Sequence, residues 1–459
     1  MVERWLWNEK VEMMSSDEII EIQTKKLRKQ IKYCYETSPL YYKKKFDEIG
    51  AKPDDIKTFE DFRKLPIMLT KDDERQSQQE SLERFGHPFG LHLCAPLEKI
   101  VGVSSTSGTT GNPVFYAFTE RDIRATNEAL ARGYWRAGIR PGDTVLHAFG
   151  LSMWVAGIPI VRALTAMGTR PVPVGAEAGT ERLLLMARLT KPSAMVCTPS
   201  LAEHLIVKAE AILGRGGPAE LGIRRIVCAG EPGAGLTEVK ERIEKAFGAK
   251  LYDSAGVPWG LWNVSCDAEE YQGMHIVSED FCIWYDIVDP DTKEPLEIKD
   301  GAIGEGLITA LQQEGIPPLK YKLGDIVQIF TEPCVCGMPG KRLKVLGRAD
   351  DMLIVKGINV YPAAIKNVLT SFMPRVTGHM RIVLEKPGPR VDPPLRLKVE
   401  YGAGMDESAI EGLKREMGQK MSEVLRVRPE IEFLAPNTLE RDPTKKGKLI
   451  ERLYEKPGS

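Results

Sequence analysis

The sequence predicts an α/β protein: a large N-terminal domain with mainly parallel sheets and a β-rich subdomain, followed by a small, mobile α+β C-terminal domain. Three observations predict it. Between 114 and 253, apolar runs of strand length alternate with longer runs of helical periodicity, the pattern of a parallel sheet. From 276 to 330 the pattern changes to short apolar runs split by Pro, Gly and Asp. Beyond Asp350 lies a tail of mixed strand and helix signal, long enough at about 110 residues to fold alone. The boundaries read as 1–349 and 350–459.

In order, Ser15 and Glu18 form a capping-box pattern ahead of Ile19, Ile20, Ile22, Leu27 and Ile31. That predicts a helix over 15–35, ended by Ser38-Pro39. Pro53 and Pro66 punctuate a polar segment that reads as loop and short helix. Ile100 to Val103 and Val114 to Thr119 read as strands on either side of a polar loop. A helix from Asp122 to Ala137 follows. Strands are then expected at 144–148, 169–174, 194–197, 225–229 and 250–253, with helices at 155–167, 180–189, 201–213 and 236–247 between them. In the tail, strands are expected at 380–385, 395–401 and 431–434, and a helix at 409–425. Ligands in such folds gather at the carboxyl ends of strands.

Composition narrows the class. A net charge of −1 leaves no electrostatic footprint for nucleic acid or an anionic membrane. No stretch approaches the roughly 18 apolar residues of a membrane span, and the charged N-terminus has no signal-peptide core. Eight cysteines scattered over the chain are no disulfide framework, so a reducing, cytoplasmic setting is expected.

The loop Ser104-Ser105-Thr106-Ser107-Gly108-Thr109-Thr110-Gly111-Asn112-Pro113 is mostly Ser, Thr and Gly. Backbone N–H groups and hydroxyls in such a loop can turn toward an anion, because glycine puts no Cβ in the way. It is not a Walker A element, since Asn112 follows Gly111 where Lys would stand. Cys266-x8-His275 and Cys334-x-Cys336 offer three thiols and an imidazole, the ligand types of tetrahedral zinc. The spacing is not that of a standard finger, and unrelated buried cysteines are the other reading.

Four further stretches follow the loop: Tyr321-Lys-Leu-Gly-Asp325, Gly347-Arg-Ala-Asp-Asp351, Lys356-Gly-Ile-Asn-Val-Tyr-Pro362 and Lys446-Gly447-Lys448. In this order and spacing they resemble the acyl-adenylate-forming enzymes. Ser38-Pro39-Leu-Tyr-Tyr, Ala229-Gly-Glu-Pro232 and Glu332-Pro-Cys-Val-Cys-Gly337 resemble the phenylacetate–CoA ligase branch. The resemblance covers nearly the whole chain. It implies that a carboxylate attacks ATP, with Mg²⁺, to give acyl-AMP, and that CoA then displaces AMP.

The resemblance assigns roles. Thr106, Ser107, Gly108, Thr109, Thr110 and Gly111 would hold the β- and γ-phosphates. Gly230, Glu231, Pro232, Tyr252 and Asp253 would flank adenine. Asp325 would take the ribose hydroxyls, with Arg348 as phosphate or ribose partner. Lys448 would reach the carboxylate and α-phosphate, with Lys445 and Lys446 as neighbours that could do the same. Asp350 would be the hinge, and Gly357 would lie where the pantetheine arm enters. Phe118, Phe149, Leu151, Met153 and Trp154 are expected to line an acid pocket suited to an aryl or arylalkyl acid. A homodimer is the family expectation.

Two departures stand out. Most relatives carry Lys where this chain has Asn112. Relatives also carry a Mg²⁺-binding Glu four residues after the tyrosine matching Tyr252, where this chain has Gly256. Two rival readings stand beside the ligase: an adenylyltransferase of the coenzyme F390 synthetase type or a carrier-protein loader, which keeps the adenylation but ends elsewhere, and a nucleotide-binding sensor without catalysis, motivated by Asn112 and Gly256.

Overall fold

The computed structural model describes residues 6–106, 113–214, 216–259, 261–356, 358–439 and 449–454. Helix α1 (Ser16–Thr37) opens on the expected capping box: Ser15 N–H donates to the Glu18 carboxylate at 2.8 Å, and Glu18 N–H donates to Ser15 Oγ at 3.3 Å. The polar stretch that follows contains a full helix, α2 (Lys71–Phe85), where loop and short helix are expected. Its inward face is Glu74, Ser77, Gln78 and Ser81, all buried and all polar, so hydrophobic periodicity carries no signal there. A Thr70–Asp73 capping box starts it, and Gly86, at φ +74°, ends it.

Strands β1 (Ile100–Ser105) and β2 (Phe115–Thr119) pair antiparallel. Then α3 (Glu120–Arg136), β3 (Thr144–His147), α4 (Ile158–Ala166), β4 (Arg170–Pro173), α5 (Thr180–Thr190), β5 (Ala194–Cys197), α6 (Pro199–Leu213), β6 (Arg225–Cys228), α7 (Thr237–Phe247) and β7 (Lys250–Val257) alternate as expected. Helix α4 starts three residues later than expected. The chain from 149 to 157 is folded back so tightly that a Cβ on Gly157 would lie 2.7 Å from the Gly150 carbonyl oxygen. Antiparallel strands follow: β8 (Leu261–Ser265), β9 (Met274–Ile276), β10 (Cys282–Val288), β11 (Ile303–Ala310), β12 (Tyr321–Phe330) and β13 (Arg342–Arg348).

All of these after β2 belong to one sheet, in the order β4-β3-β5-β6-β7-β8-β9-β13-β12-β11-β10. Strand β7 runs parallel to β6 through Asp253 and antiparallel to β8 from Ser254 onward. The β-rich region is therefore continuous with the parallel sheet, because the short turn after Val257 can only return antiparallel. One apolar cluster holds Tyr134, Phe149, Tyr252 and Trp262. Another holds Val114 and, from β2, Tyr116 and Phe118, with Trp259, Leu261, Ile276 and Tyr321.

The C-terminal region contains β14 (Leu353–Val355), β15 (Ile358–Val360), α8 (Pro362–Thr370), β16 (Val376–Leu384), β17 (Leu395–Tyr401), α9 (Glu407–Leu425), β18 (Pro429–Leu434) and β19 (Ile450–Arg452). Sheet β18-β17-β16-β19 shares a core with both helices, built from residues such as Ile365, Leu369, Ile382, Leu397, Leu413 and Met417. Along β16 burial alternates strictly, the signature of one face packed and one face open. Among the described residues no helix is long and apolar enough to cross a membrane.

Candidate functional site

The glycine-rich loop is closed at its neck. Thr106 N–H donates to the Val114 carbonyl at 2.9 Å, and Val114 N–H donates to Thr106 Oγ1 at 3.0 Å. Ser107, Gly108, Thr109, Thr110 and Gly111 lie outside the described residues, as do Gly357 and Lys448. At the root of the loop, Ser105 N–H donates to the Met153 carbonyl at 2.8 Å, and Ser105 forms a bridge with Trp154. The root of the glycine-rich loop and the expected acid pocket therefore share a wall.

That wall is the segment from Phe149 to Trp154. The two rings meet edge to face, with centroids 5.7 Å apart and planes at 83°. Trp154 also reaches over Gly230, where a Cβ would come within 3.1 Å of the indole. Gly230 holds φ +94°, so both space and backbone call for glycine. Leu151 N–H donates to the Glu177 carboxylate at 2.7 Å, and His147 Nε2 contacts the Ala156 carbonyl at 2.8 Å. These bonds pin the segment at both ends. Met153 is 48% exposed. Phe118 stands apart from this wall, buried in the cluster around β2, whereas Phe149 belongs to the cluster around α3.

The expected adenine-side residues sit at the ends of β6 and β7. Glu231 accepts the Ser200 N–H at 2.8 Å, where the first turn of α6 offers unpaired donors. Pro232 follows in the same turn. Tyr252 is buried and donates to Asp267 at 2.6 Å. Asp253 accepts from Tyr271 Oη at 2.5 Å, and burial pushes its carboxyl up to about 6. Ser200, Asp267 and Tyr271 carry no sequence signal of their own; only the fold brings them here.

Asp325, Arg348 and Asp350 form one ion-pair chain. Arg348 Nη1 lies 3.0 Å from Asp325 Oδ1, and Arg348 Nε lies 3.0 Å from Asp350 Oδ1. Burial alone would lower the Arg348 pKa; the Asp325 charge, then Asp350, outweighs it and raises it. Gly324, at φ +83°, leaves room for the guanidinium, since a Cβ there would fall 2.6 Å from Nη2. Next in sequence, Asp351 pairs with Arg452 of β19 at 3.2 Å.

Position 256 shows why no carboxylate stands there. A Cβ on Gly256 would lie 2.1 Å from the Trp262 ring. Trp262 in turn packs on α3, where Gly133 makes room for it.

Cys266, His275, Cys334 and Cys336 do come together. Their ligand atoms all lie within 4.8 Å of one another, with Cys266 Sγ to Cys334 Sγ at 3.8 Å and Cys336 Sγ to His275 Nε2 at 3.4 Å. Two sulfurs bound at about 2.3 Å to one tetrahedral centre would be about 3.8 Å apart. Hydrogen bonding from Cys336, then from His275, pulls Cys266 toward the thiolate. The cluster joins the end of β8, strand β9 and the β12–β13 turn.

Residues 357–452 match the family model of the AMP-binding enzyme C-terminal domain. The phenylacetate-coenzyme A ligase of Thermus thermophilus is 32% identical over 423 residues, covering 91% of this chain and 87% of that protein. The Escherichia coli phenylacetate-coenzyme A ligase is 29% identical, with 82% of each chain covered. Among solved structures, 2-hydroxyisobutyryl-CoA ligase in the postadenylation state superposes with a TM-score of 0.87 at 28% identity, covering 98% of this chain and 93% of that one. The same ligase in the thioesterification state gives 0.70 at 29% identity, with 99% and 94% covered. The chain belongs to the phenylacetate–CoA ligase family of acyl-adenylate-forming enzymes: it is an acid–CoA ligase that works through an acyl-AMP.

Proposed function

We propose that the acid is aromatic or arylalkyl, of the phenylacetate or benzoate kind. The edge-to-face pair of Phe149 and Trp154 carries this reading. A rigid aromatic wall beside the Ala229–Glu231 turn suits a flat ring, whose edges and faces it can match. Leu151 and Met153 extend the wall; Phe118 stands apart from it, in the cluster around β2. The names of the Thermus thermophilus and Escherichia coli relatives support the same class.

In the first half-reaction a carboxylate oxygen attacks the α-phosphorus of ATP, and the bond to pyrophosphate breaks. Two anions must meet, so positioning and charge neutralisation dominate. Thr106 to Gly111 hold the β- and γ-phosphates, and Lys448 bridges carboxylate and α-phosphate. Asp325, oriented by Arg348, accepts from the ribose hydroxyls. Gly230, Glu231, Pro232, Tyr252 and Asp253 enclose the adenine. In the second half-reaction the CoA thiolate attacks the acyl carbon and AMP leaves.

Between the two, the small domain that begins at Asp350 swivels about that residue, bringing Gly357 to the pantetheine entry. Two facts support the swivel: the ion-pair chain ends at Asp350, and the TM-score falls between two states of one relative. Position 256 cannot hold a metal ligand, because Trp262 fills its space; Asp253 or Glu231 would hold a divalent cation, directly or through water, and the ion would neutralise phosphate charge. The Cys266–His275–Cys334–Cys336 cluster fits structural zinc, which would tie the end of β8, strand β9 and the β12–β13 turn together and leave no open coordination position. A cytoplasmic homodimer completes the reading.

The test is acid-dependent ATP–pyrophosphate exchange followed by thioester formation. Phenylacetate and benzoate derivatives are expected to exceed 2-hydroxyisobutyrate in kcat/KM by at least about tenfold, since a small acid leaves the wall unfilled. The reverse order would overturn the aromatic assignment.

A further inference from the structure

We propose that the loop between Cys266 and His275 is a positioning element for the nucleotide, with Asp267 and Tyr271 as its positioning residues, and that metal held by the Cys/His cluster tightens adenosine binding by fixing both ends of that loop. The proposal rests on the readings that the cluster holds structural zinc and that Tyr252 and Asp253 flank adenine.

Asp267 to Gly273 contains no helix or strand. Its path is set by its two ends and by the bonds its side chains make. Those bonds converge on two residues. Asp267 accepts from Tyr252 Oη at 2.6 Å, and Tyr271 Oη donates to Asp253 Oδ2 at 2.5 Å. Just before the loop, Ser265 Oγ accepts the Asp253 N–H at 2.9 Å. The Tyr252 hydroxyl and the Asp253 carboxylate are thus both oriented from one stretch of chain. The adenine-side turn closes against the same pair. Gly235 stands three residues after Pro232, and a Cβ there would lie 2.8 Å from Asp253 Oδ2 and 2.9 Å from Tyr271 Cζ.

The cluster sits at both ends of this loop. Cys266 directly precedes Asp267, and His275 follows Tyr271 by four residues. His275 stands in register with Val264 of β8, so the strand pair brings the two ends together. Cys334 and Cys336 come from the separate β12–β13 turn. Without metal the four groups meet only through weak contacts, such as 3.8 Å between two sulfurs and 3.4 Å from sulfur to imidazole. Metal bonds at about 2.0–2.3 Å would replace these and fasten the loop to that turn. From there the path to the nucleotide is short: one hydrogen bond joins Asp267 to Tyr252, and one joins Tyr271 to Asp253. Partners placed behind a binding residue act in this way, by fixing its orientation.

The full-length protein tests this without knowledge of the acid. Calorimetry would measure adenosine and AMP before and after zinc removal by a chelator. Removal is expected to weaken both ligands alike by about fivefold, the weight of one ordinary hydrogen bond, and zinc alone should restore them. With zinc bound, Tyr271→Phe and Asp267→Ala should each cost about the same factor. Asp267→Asn, which keeps an acceptor oxygen, should recover most of the loss. The KM for ATP should rise in these variants while kcat at saturating ATP is kept, a split that a merely structural defect would not give. In the double variant Asp267→Ala/Tyr271→Phe, zinc removal should cost nothing further, because the metal acts through those two bonds. Unchanged wild-type affinity on zinc removal would overturn the proposal, and so would losses that multiply independently. Should the zinc-free protein unfold, the zinc-loaded variants decide, and unchanged adenosine affinity in both single variants overturns the proposal. Wild-type protein that carries no zinc would instead defeat the reading of the cluster, and the metal's part with it. Asp325→Ala is the control for the nucleotide site: it should weaken adenosine, and if it does not, the reading of that site fails independently of the loop.

Discussion

Ser105 N–H donates to the carbonyl oxygen of Met153 at 2.8 Å, which ties the root of the glycine-rich loop to the Phe149–Trp154 segment. Trp154, the next residue, carries the wall across to Gly230. Trp154→Ala is therefore expected to raise the KM for the acid by at least about tenfold, as loss of an aromatic wall demands, and the KM for ATP as well. Steady-state pyrophosphate release with each substrate varied checks it. A change in the acid term alone would mean the two sites are uncoupled.

Lys448→Ala is expected to cut acyl-AMP formation far more than thioesterification of supplied acyl-AMP. Single-turnover measurement of each half-reaction separates them. Equal loss in both would shift the role to Lys445 or Lys446. Asp350→Pro, at the end of the Arg348 ion-pair chain, should spare one half-reaction and block the other, since fixing φ traps one orientation.

Gly256→Glu, the change that restores the relatives' carboxylate, should lower stability and not raise activity. A Cβ at 2.1 Å from the Trp262 ring forces overpacking, which costs about 1–3 kcal/mol. Urea unfolding reads the loss. A variant as stable as wild type and more active would show that the ring swings aside.

Glu74 gives a pH prediction. It is 1% exposed, accepts from Tyr321 Oη at 2.9 Å, and burial pushes its carboxyl up to about 8. Protonated, it suits its site; ionised, it does not. Its contribution is complete below the unfolded carboxyl pKa, near 4.5, and is lost as pH rises toward 8, because the unfolded chain gives up the proton first. Glu74→Gln should remove this dependence. The stability gap between Glu74→Gln and wild type should widen by up to roughly 1.4 kcal/mol per pH unit between pH 5 and 8. Parallel melting curves would refute it.

Cys336→Ser should release bound zinc and lower the melting temperature, while adenylation at low temperature persists. Metal analysis and calorimetry check it. Well under one zinc per wild-type chain would reject the metal reading and leave four close but unbridged side chains.

Much of this was legible in the chain. The strand–helix alternation from 114 to 253 could be read because each strand is a short apolar run and each helix an amphipathic one. The ordered motifs gave the family, and Cys266, His275, Cys334 and Cys336 were readable as a set because thiols and imidazole are few. The rest was hidden for physical reasons. Helix α2 buries Glu74, Ser77, Gln78 and Ser81, so it has no apolar period to read. The exclusion of a side chain at Gly256 comes from Trp262 across a strand pair, and the burial of Asn263 with no hydrogen-bond partner among the described residues from its register against Ala255 and Ile276. No local pattern encodes either.

Strand β7 holds one neighbour in parallel and the other in antiparallel register. The sheet is thus continuous and does not divide into two halves that could part. On the proposed swivel about Asp350, cargo and product would therefore pass by way of the carboxyl-terminal domain and not between halves of the sheet.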